Sequence, residues 1–322
     1  MKKLLFASAL FNSLVAGPVL AADMPLTAPA YKAPPPVVVG WSGFYVGANG
    51  GYGWADSSVS FAGDNLVGAF LVDPAGVRPV RACVHFVCAT QFTGSTPVGP
   101  AIFQSEGGTA GLQAGYNWQV NPAWLVGFET DINWSNIKGS GQTSGNIPVL
   151  DCCAGFALFQ PVLADRSITS FGTVRARLGW LPKPNVLLYG TGGFAYGRIR
   201  ESITEILTAP GFPAGTQVTI SGGGTSLACV LGAPCLTGGS SRIATGWSAG
   251  FGGEHAITPN VSVKGEYLYI NLGDAPFQAV APATTRGFPI PASITTAYDR
   301  VNLHTVRIGI NYRFGDPLFA AY

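Results

Sequence analysis

The sequence has few charged residues, almost no methionine and no long apolar run beyond its first segment. Charged side chains make up 11% of the 322 residues, and there are two methionines. This composition disfavours a helical bundle, whereas 44 glycines and 11% aromatic residues suit strands with crowded positions. The sequence contains no uninterrupted stretch of about 20 apolar residues, which is the length that a helix needs to cross a bilayer. Mean hydropathy is nevertheless positive, at +0.30, which indicates β-structure in a membrane.

A strong net charge is also missing once the first segment is set aside. Residues 1–21 start with Lys2 and Lys3, continue with an apolar run and end in a small-residue site, which predicts a secretory signal peptide. Removing its two lysines from 18 basic side chains leaves 16, against 16 acidic ones. This balance disfavours binding to nucleic acid. Residues 22–40 are expected to form an extended, Pro-rich periplasmic lead, and residues 41–322 the folded domain.

Eight segments are predicted to be strands, and all but the fifth alternate apolar and polar residues, which is typical of strands with two different faces. In "AWLVGFETDINWSN", Phe128 falls on the apolar face, whereas Glu129 and Asp131 fall on the polar one. The fourth segment, "ITSFGTVRARLGW", is expected to place Ile168 on the apolar face. The fifth is too rich in glycine for its faces to be assigned. Segments of about 10 residues suit strands that cross a bilayer at a tilt.

The connections between these segments alternate in length. Three are short and contain proline, "NPA", "LPKPN" and "ITPN", as is typical of tight turns. Four are long, at about residues 55–108, 137–166, 202–239 and 273–299. This pattern predicts an all-β fold, an eight-stranded antiparallel up-and-down transmembrane β-barrel with short periplasmic turns and long extracellular loops.

A soluble barrel with an apolar core is the alternative, but three features favour lipid outside the barrel. Tryptophans at the strand ends predict an aromatic girdle at each membrane interface, formed by Trp41, Trp54, Trp118, Trp124, Trp134 and Trp180. The polar face carries charges that a narrow lumen could hold as ion pairs, namely Glu129, Asp131, Arg175, Arg177, Arg242, Glu254, Lys264, Glu266, Arg307 and Arg313. Glycine and serine on that face leave room for these long side chains. The predicted location is therefore the cell outer membrane.

Six motifs together resemble a known family: "WSGFYVGANGGYGW" after a Pro-rich lead, "AGLQAGYNWQ", "GFETDINW", "TVRARLGW", "VKGEYLYINLG" and "TVRIGINYRF". They are similar to the small porin-family outer-membrane β-barrel proteins of alphaproteobacteria, related to the eight-stranded OmpA-type domain. The resemblance covers nearly all strands and fails in the long loops. It implies outer-membrane lipid and the outer-membrane assembly machinery as partners, with an assembly signal at Arg307, Gly309, Tyr312 and Phe314. Family members commonly end on the aromatic residue, whereas residues 315–322 follow here. We expect them to form a short periplasmic tail; the alternative is that Tyr322 serves as the terminal aromatic residue.

The six cysteines form three close pairs in the first three long loops. They are Cys83 and Cys88, Cys152 and Cys153, and Cys229 and Cys235. In an exported protein such pairs predict disulfides, although the connectivity of the two adjacent cysteines stays open. His85 lies inside the first pair, but a closed zinc site needs four ligands and no fourth is visible nearby. No metal and no cofactor is therefore expected.

No catalytic constellation is visible in the sequence. His304 and Ser167 lie near strand ends, but no nucleophile and base have a sequence spacing typical of a catalytic pair. No enzyme is therefore predicted. The predicted function is structural, supporting envelope integrity and presenting loops at the surface. Porin-like passive diffusion of small solutes is the first alternative. Loop-mediated binding of haemin or adhesive ligands is the second, although no Tyr–His pairing marks the loops; peptidoglycan and surface ligands are further candidate partners.

Overall fold

A computed structural model of the chain describes residues 40–62, 81–84, 87–89, 99–148, 157–210, 213–222, 225–273, 277–280 and 293–314. Every element of regular structure within these residues is a strand. The strands are β1 (Gly43–Ala62), β2 (Arg81–Val84), β3 (Val87–Ala89), β4 (Ala101–Asn121), β5 (Trp124–Pro148), β6 (Ala157–Lys183), β7 (Val186–Ile206), β8 (Gln217–Gly222), β9 (Thr225–Val230), β10 (Pro234–Ala256), β11 (Val261–Leu272), β12 (Phe277–Val280), β13 (Ser293–Tyr298) and β14 (Val301–Arg313).

Eight of these strands close into a ring. Each is antiparallel to its neighbours in the order β1, β4, β5, β6, β7, β10, β11 and β14, and β14 pairs again with β1. The short strands β12 and β13 pair with each other and with the ends of β10 and β1. Strands β2, β3, β8 and β9 form a separate four-stranded sheet. The predicted eight-stranded antiparallel barrel is confirmed.

Three tight turns join ring strands at one end of the barrel, the turn end. Asn121 Oδ1 accepts hydrogen bonds from the backbone N–H groups of Ala123 and Trp124, at 2.8 and 2.9 Å. Thr258 Oγ1 accepts one from the N–H of Val261 at 2.9 Å. Asn and Thr suit such turns because their side-chain oxygens satisfy backbone donors that the ladder leaves free. The opposite end, where the longer connections lie, is the loop end.

Six ring strands extend well beyond the predicted membrane-crossing segments. β1, β4, β5, β6, β7 and β10 contain 20 to 27 residues, whereas β11 and β14 contain 12 and 13. The predicted loops at 55–108, 137–166 and 202–239 are therefore too long. The extension of β5, "KGSGQTSGN", shows why: both of its faces are small or polar, so the apolar alternation that marks a membrane strand is missing there.

Side chains alternate between the interior and the outer surface along the ring strands, with one change of phase in β6. Even-numbered residues point inward before Thr169 and odd-numbered residues after it, because the pairing shifts register between Ile168 and Ser170. The prediction that Ile168 lies on the outer face is wrong, since it is fully buried inside. Such a bulge reverses the two faces without changing the composition. β7, whose faces the sequence left open, points its odd-numbered residues inward.

Candidate functional site in the barrel interior

Interior side chains form layers between the turn end and the loop end. An apolar cluster fills the turn end, formed by Trp41, Leu125, Leu181, Leu187, Tyr189 and Ala256. A layer of buried charges, the central charge network, comes next. A second apolar cluster lies on its loop side and includes Ile137, Ile168, Phe171, Leu268 and Leu303. The charged layer is thus enclosed by apolar side chains on both sides.

Glu129 of β5 is the centre of the central charge network. Its carboxylate lies 2.6 Å from Arg175 Nη2 and 2.9 Å from Lys264 Nζ. It also accepts a hydrogen bond of 2.7 Å from Tyr45 Oη. Glu129 is 1% exposed, and a carboxylate so far from water is stable only with several charged or hydrogen-bonding partners. Three other strands, β1, β6 and β11, supply them.

Two arginines connect the remaining carboxylates of this layer. Arg175 Nη1 lies 2.7 Å from Glu266 Oε1, and its Nη2 lies 3.0 Å from Asp131 Oδ2. Arg307 also forms an ion pair with Glu266, and its Nη1 is 3.5 Å from Asp131 Oδ1. Thr173 Oγ1 donates to Asp131 at 2.6 Å. The two arginines therefore tie β5, β6, β11 and β14 together across the lumen.

Arg177 extends the network towards the turn end. Its Nη2 lies 2.5 Å from Glu254 Oε2, and its guanidinium lies 3.7 Å above the centre of the Tyr189 ring. Glu254 also accepts hydrogen bonds from Ser262 Oγ and from Asn311 Nδ2. A desolvated guanidinium gains from an aromatic face as well as from a carboxylate. Arg177 thus bridges the charged layer and the apolar cluster of the turn end.

Two glycines allow tyrosines to cross the lumen. A Cβ atom at Gly115 would lie 2.5 Å from Tyr45 Oη, and one at Gly252 would lie 2.6 Å from Tyr189 Oη. The two rings therefore occupy the space that a larger residue would take. Only glycine permits so close an approach. In these positions Tyr45 bonds Glu129, and Tyr189 lies beneath Arg177.

Eight of the ten predicted lumen charges meet in the central charge network: Glu129, Asp131, Arg175, Arg177, Glu254, Lys264, Glu266 and Arg307. The other two lie elsewhere in the interior. Arg242 is nearer the loop end, where its Nε is 3.7 Å from Glu201 Oε2. Arg313 lies at the turn end, with its guanidinium 4.3 Å from the ring centre of Trp41 and a hydrogen bond to the Gly40 carbonyl.

A second interior ion pair, at the loop end, is missing from the sequence prediction. Arg166 Nη2 lies 2.9 Å from Glu201 Oε1, and both side chains are buried. Arg166 also donates to the Asp299 carbonyl at 2.7 Å and lies 4.8 Å from the ring centre of Tyr298. Burial raises the pKa of the Tyr298 hydroxyl. The predicted fourth segment starts at Ile168 and assigns residues up to 166 to a loop, whereas β6 begins at Ala157 and includes Arg166.

The aromatic girdle consists of outward tryptophans, but Trp41 does not belong to it. Trp41 is fully buried, and its Nε1 donates to the Pro184 carbonyl at 2.8 Å. The girdle prediction for Trp41 is wrong because the chain before β1 turns into the barrel end instead of following its outer surface. Four predicted tryptophans are 46–59% exposed on the outer face: Trp118, Trp124, Trp134 and Trp180. Trp54 is also outward but half-buried, and Trp247, which the prediction omitted, is 51% exposed.

The residues of the predicted assembly signal occupy both faces of β14. Tyr312 and Phe314 point outward and are 48% and 45% exposed, and Phe314 stacks on Phe44 with 5.8 Å between ring centres. Arg307 and Gly309 face the interior. Their role in assembly stays a prediction. Residues 315–322, the predicted tail, and residues 1–39 lie outside the described part of the chain.

Two of the six cysteines lie on residues that the structure does not describe. Cys235 is disulfide-bonded, and Cys83 is the register partner of Cys88 where β2 pairs with β3. His85, Cys152 and Cys153 lie outside the described residues, and the pairing of the cysteines stays a prediction. Within the described ranges, no group of three or more His, Cys, Asp or Glu side chains could hold a metal ion.

The two residues considered for catalysis are far apart. His304 belongs to β14 and Ser167 to β6, on opposite sides of the ring. His304 Nδ1 instead lies 2.7 Å from Tyr267 Oη and its ring stacks on Trp54. This pair is on the outer face, and its two members are 37 positions apart in sequence, so no local motif marks it. The arrangement is a hydrogen-bonded part of the loop-end girdle.

Comparisons with known proteins agree with this architecture. A family model described as "Outer membrane protein beta-barrel domain" matches residues 19–314. The 31 kDa outer-membrane immunogenic protein of Brucella melitensis is 28% identical over 319 residues, which cover 98% of this chain and 100% of that protein. The 25 kDa outer-membrane immunogenic protein of Brucella canis is 23% identical over 309 residues, covering 92% and 96%.

Solved structures show a weaker likeness. The outer membrane protein OprG from Pseudomonas aeruginosa is 12% identical, covers 85% of this chain and 96% of its own, and has a TM-score of 0.34, which is too low to support a functional comparison. Among the residues described, no helix is long and apolar enough to cross a membrane. Because the family model matches nearly the whole length, the chain belongs to the outer membrane protein β-barrel family and resides in the outer membrane.

Proposed function

We propose that the protein is a structural, non-conducting barrel that supports envelope integrity and presents its loops at the cell surface. The central charge network carries this proposal, because its side chains are buried and are paired with one another. Charges that line a water path would be hydrated, whereas these have partners within the protein. Outer-membrane lipid and the assembly machinery are the partners that this role requires, and no catalysis is expected of it.

Porin-like diffusion of small solutes is the alternative that this interior disfavours. Barrels with an aqueous channel have more strands and a wider lumen than eight strands enclose. Apolar clusters on both sides of the charged layer add two further obstacles to water and ions. Binding of haemin or adhesive ligands by the loops concerns residues that lie largely outside the described ranges, and it stays a prediction.

Single-channel conductance tests the proposal directly. The folded, detergent-purified protein is inserted into a planar bilayer, and current is recorded under applied voltage. We expect no open steps, because an ion would have to break buried ion pairs to pass. A known wide porin in the same bilayer is the positive control for detection.

Insertion needs its own control, because a bilayer without current can mean either a closed barrel or a protein that did not insert. The same preparation, reconstituted into vesicles, should remain resistant to protease and migrate as the compact species on unheated gels. Silence together with these properties supports the structural role. Reproducible open steps in the wild-type protein would instead make diffusion of solutes its function.

A further inference from the structure

Two arginines on the outer surface of β7 lack a protein partner within the described ranges. Arg198 and Arg200 are exposed, and neither forms an ion pair or side-chain hydrogen bond with any described residue. The interior arginines differ, since each of them contacts a carboxylate, a carbonyl or an aromatic ring: Arg166, Arg175, Arg177, Arg242, Arg307 and Arg313. Arg198 and Arg200 are therefore available to an anion outside the chain.

The strand register places both arginines where the membrane meets water. Arg198 pairs with Ser170, which pairs with Trp134 of the loop-end girdle. Arg200 lies two residues further towards the loop end on the same face. Outward aromatic side chains mark the level of the lipid headgroups. The two guanidinium groups therefore start at headgroup level, with the exposed apolar ring of Phe194 on the membrane side of them.

Hydroxyl groups and a third cation surround Arg200. Ser167 of β6 and Ser241 of β10 are its register partners, and Lys138 of β5 pairs with Ser167. A shallow concavity of about 560 Å³ joins Lys138, Ser140, Ser167, Arg200 and Ser202 on this surface. Asp165 borders it as well. Glu201 lines the concavity too, but it is paired with Arg166 in the interior, and the exposed Glu106 of β4 is the register partner of Lys138. The three cations and the hydroxyl donors thus outnumber the two outward acids, Asp165 and Glu106.

We propose that Arg198 and Arg200, with Lys138, bind the phosphate group of an anionic lipid in the leaflet at the loop end. Side chains two residues apart on one face of a strand start about 7 Å apart, so both arginines can reach one headgroup. A guanidinium binds phosphate oxygens through two parallel hydrogen bonds, and the serine hydroxyls can donate to the remaining oxygens. The apolar surface below, which includes Phe194, holds the acyl chains and favours a lipid over free phosphate.

The test uses the folded full chain in neutral detergent micelles and a short-chain lipid, dioctanoyl phosphatidic acid. Binding is followed by native mass spectrometry and by the change in tryptophan fluorescence. We expect Arg198→Gln combined with Arg200→Gln to weaken binding by about tenfold or more, because two charge-assisted contacts are lost. Lys183→Gln, which removes an exposed cation at the turn end, is the matched control and should bind as the wild type does.

Two further ligands separate the sources of the anion. Dioctanoyl phosphatidylcholine carries the same acyl chains without net negative charge, and inorganic phosphate carries the anion without chains; both should bind much more weakly to the wild type. Equal binding of phosphatidic acid by the double variant and the wild type would overturn the proposal. The proposal would also be overturned if the wild type bound phosphatidylcholine or inorganic phosphate as tightly as it binds phosphatidic acid. Compact migration on unheated gels shows that each variant is folded.

Discussion

At the scale of single residues, loss of one member of the central charge network leaves its partners buried without a counter-charge. Arg175 contacts Glu129, Asp131 and Glu266, all of them buried. We expect Arg175→Met to lower the free energy of unfolding by about 3–5 kcal/mol, because uncompensated buried carboxylates remain. Urea unfolding in detergent, followed by tryptophan fluorescence, measures this loss. Lys183→Met at the exposed turn end should change it by less than about 0.5 kcal/mol; a stable Arg175→Met variant with ion-selective current would contradict the structural role.

Glycines of the interior make a second residue-scale prediction possible. Gly115→Ala should lower the free energy of unfolding by about 1–3 kcal/mol, because its Cβ would overlap both Tyr45 and the Phe128 carbonyl oxygen and push Tyr45 away from Glu129. Gly265 is a strand glycine with nothing within 4 Å of the position of an added Cβ, so Gly265→Ala is the matched control and should have little effect. The same urea titration compares them. Equal midpoints for Gly115→Ala and Gly265→Ala would contradict the close packing at Gly115.

At the scale of strands, the bulge in β6 decides which side chains fill the loop half of the lumen. Ile168 packs there among buried apolar residues, whereas Ile243 of β10 is 63% exposed on the outer face. We expect Ile168→Ala to lower the free energy of unfolding by about 2–5 kcal/mol through lost packing and a cavity. Ile243→Ala, the control, should lower the free energy of unfolding by clearly less than Ile168→Ala does. If the two variants unfolded at the same urea concentration, the phase change at Thr169 would be in doubt.

At the scale of the whole molecule, the two ends of the ring predict opposite sides of the membrane. An even number of strands returns the chain to the side on which it started, and short turns lie in the periplasm in barrels of this kind. An epitope inserted after Gly155, between β5 and β6, should be labelled by antibody on intact cells. The same epitope inserted after Pro259, in the turn between β10 and β11, should be labelled only after permeabilisation. The reverse pattern would contradict the predicted orientation.

The sequence by itself determined the ring of strands and the direction of most side chains. Lipid outside and a packed polar interior impose opposite preferences on alternate residues, so Glu129, Arg175 and Lys264 could be assigned to the lumen before any coordinates. The same reasoning failed where that contrast disappears. The extension of β5 is small or polar on both faces, and the extension of β6 mixes apolar and polar residues on both faces. The prediction therefore ended β5 too early, started β6 too late and missed Arg166.

Only the tertiary structure decided which interior groups meet. Glu129 and Lys264 are 135 residues apart in sequence, and their contact depends on the register of eight strands around the closed ring. The inward position of Ile168 depends on one register shift, and that of Trp41 on the path of the chain at the turn end. Hydropathy carries no information on either. Alternation along a strand reflects the local environment of each residue, whereas pairing across the lumen depends on closure of the whole barrel.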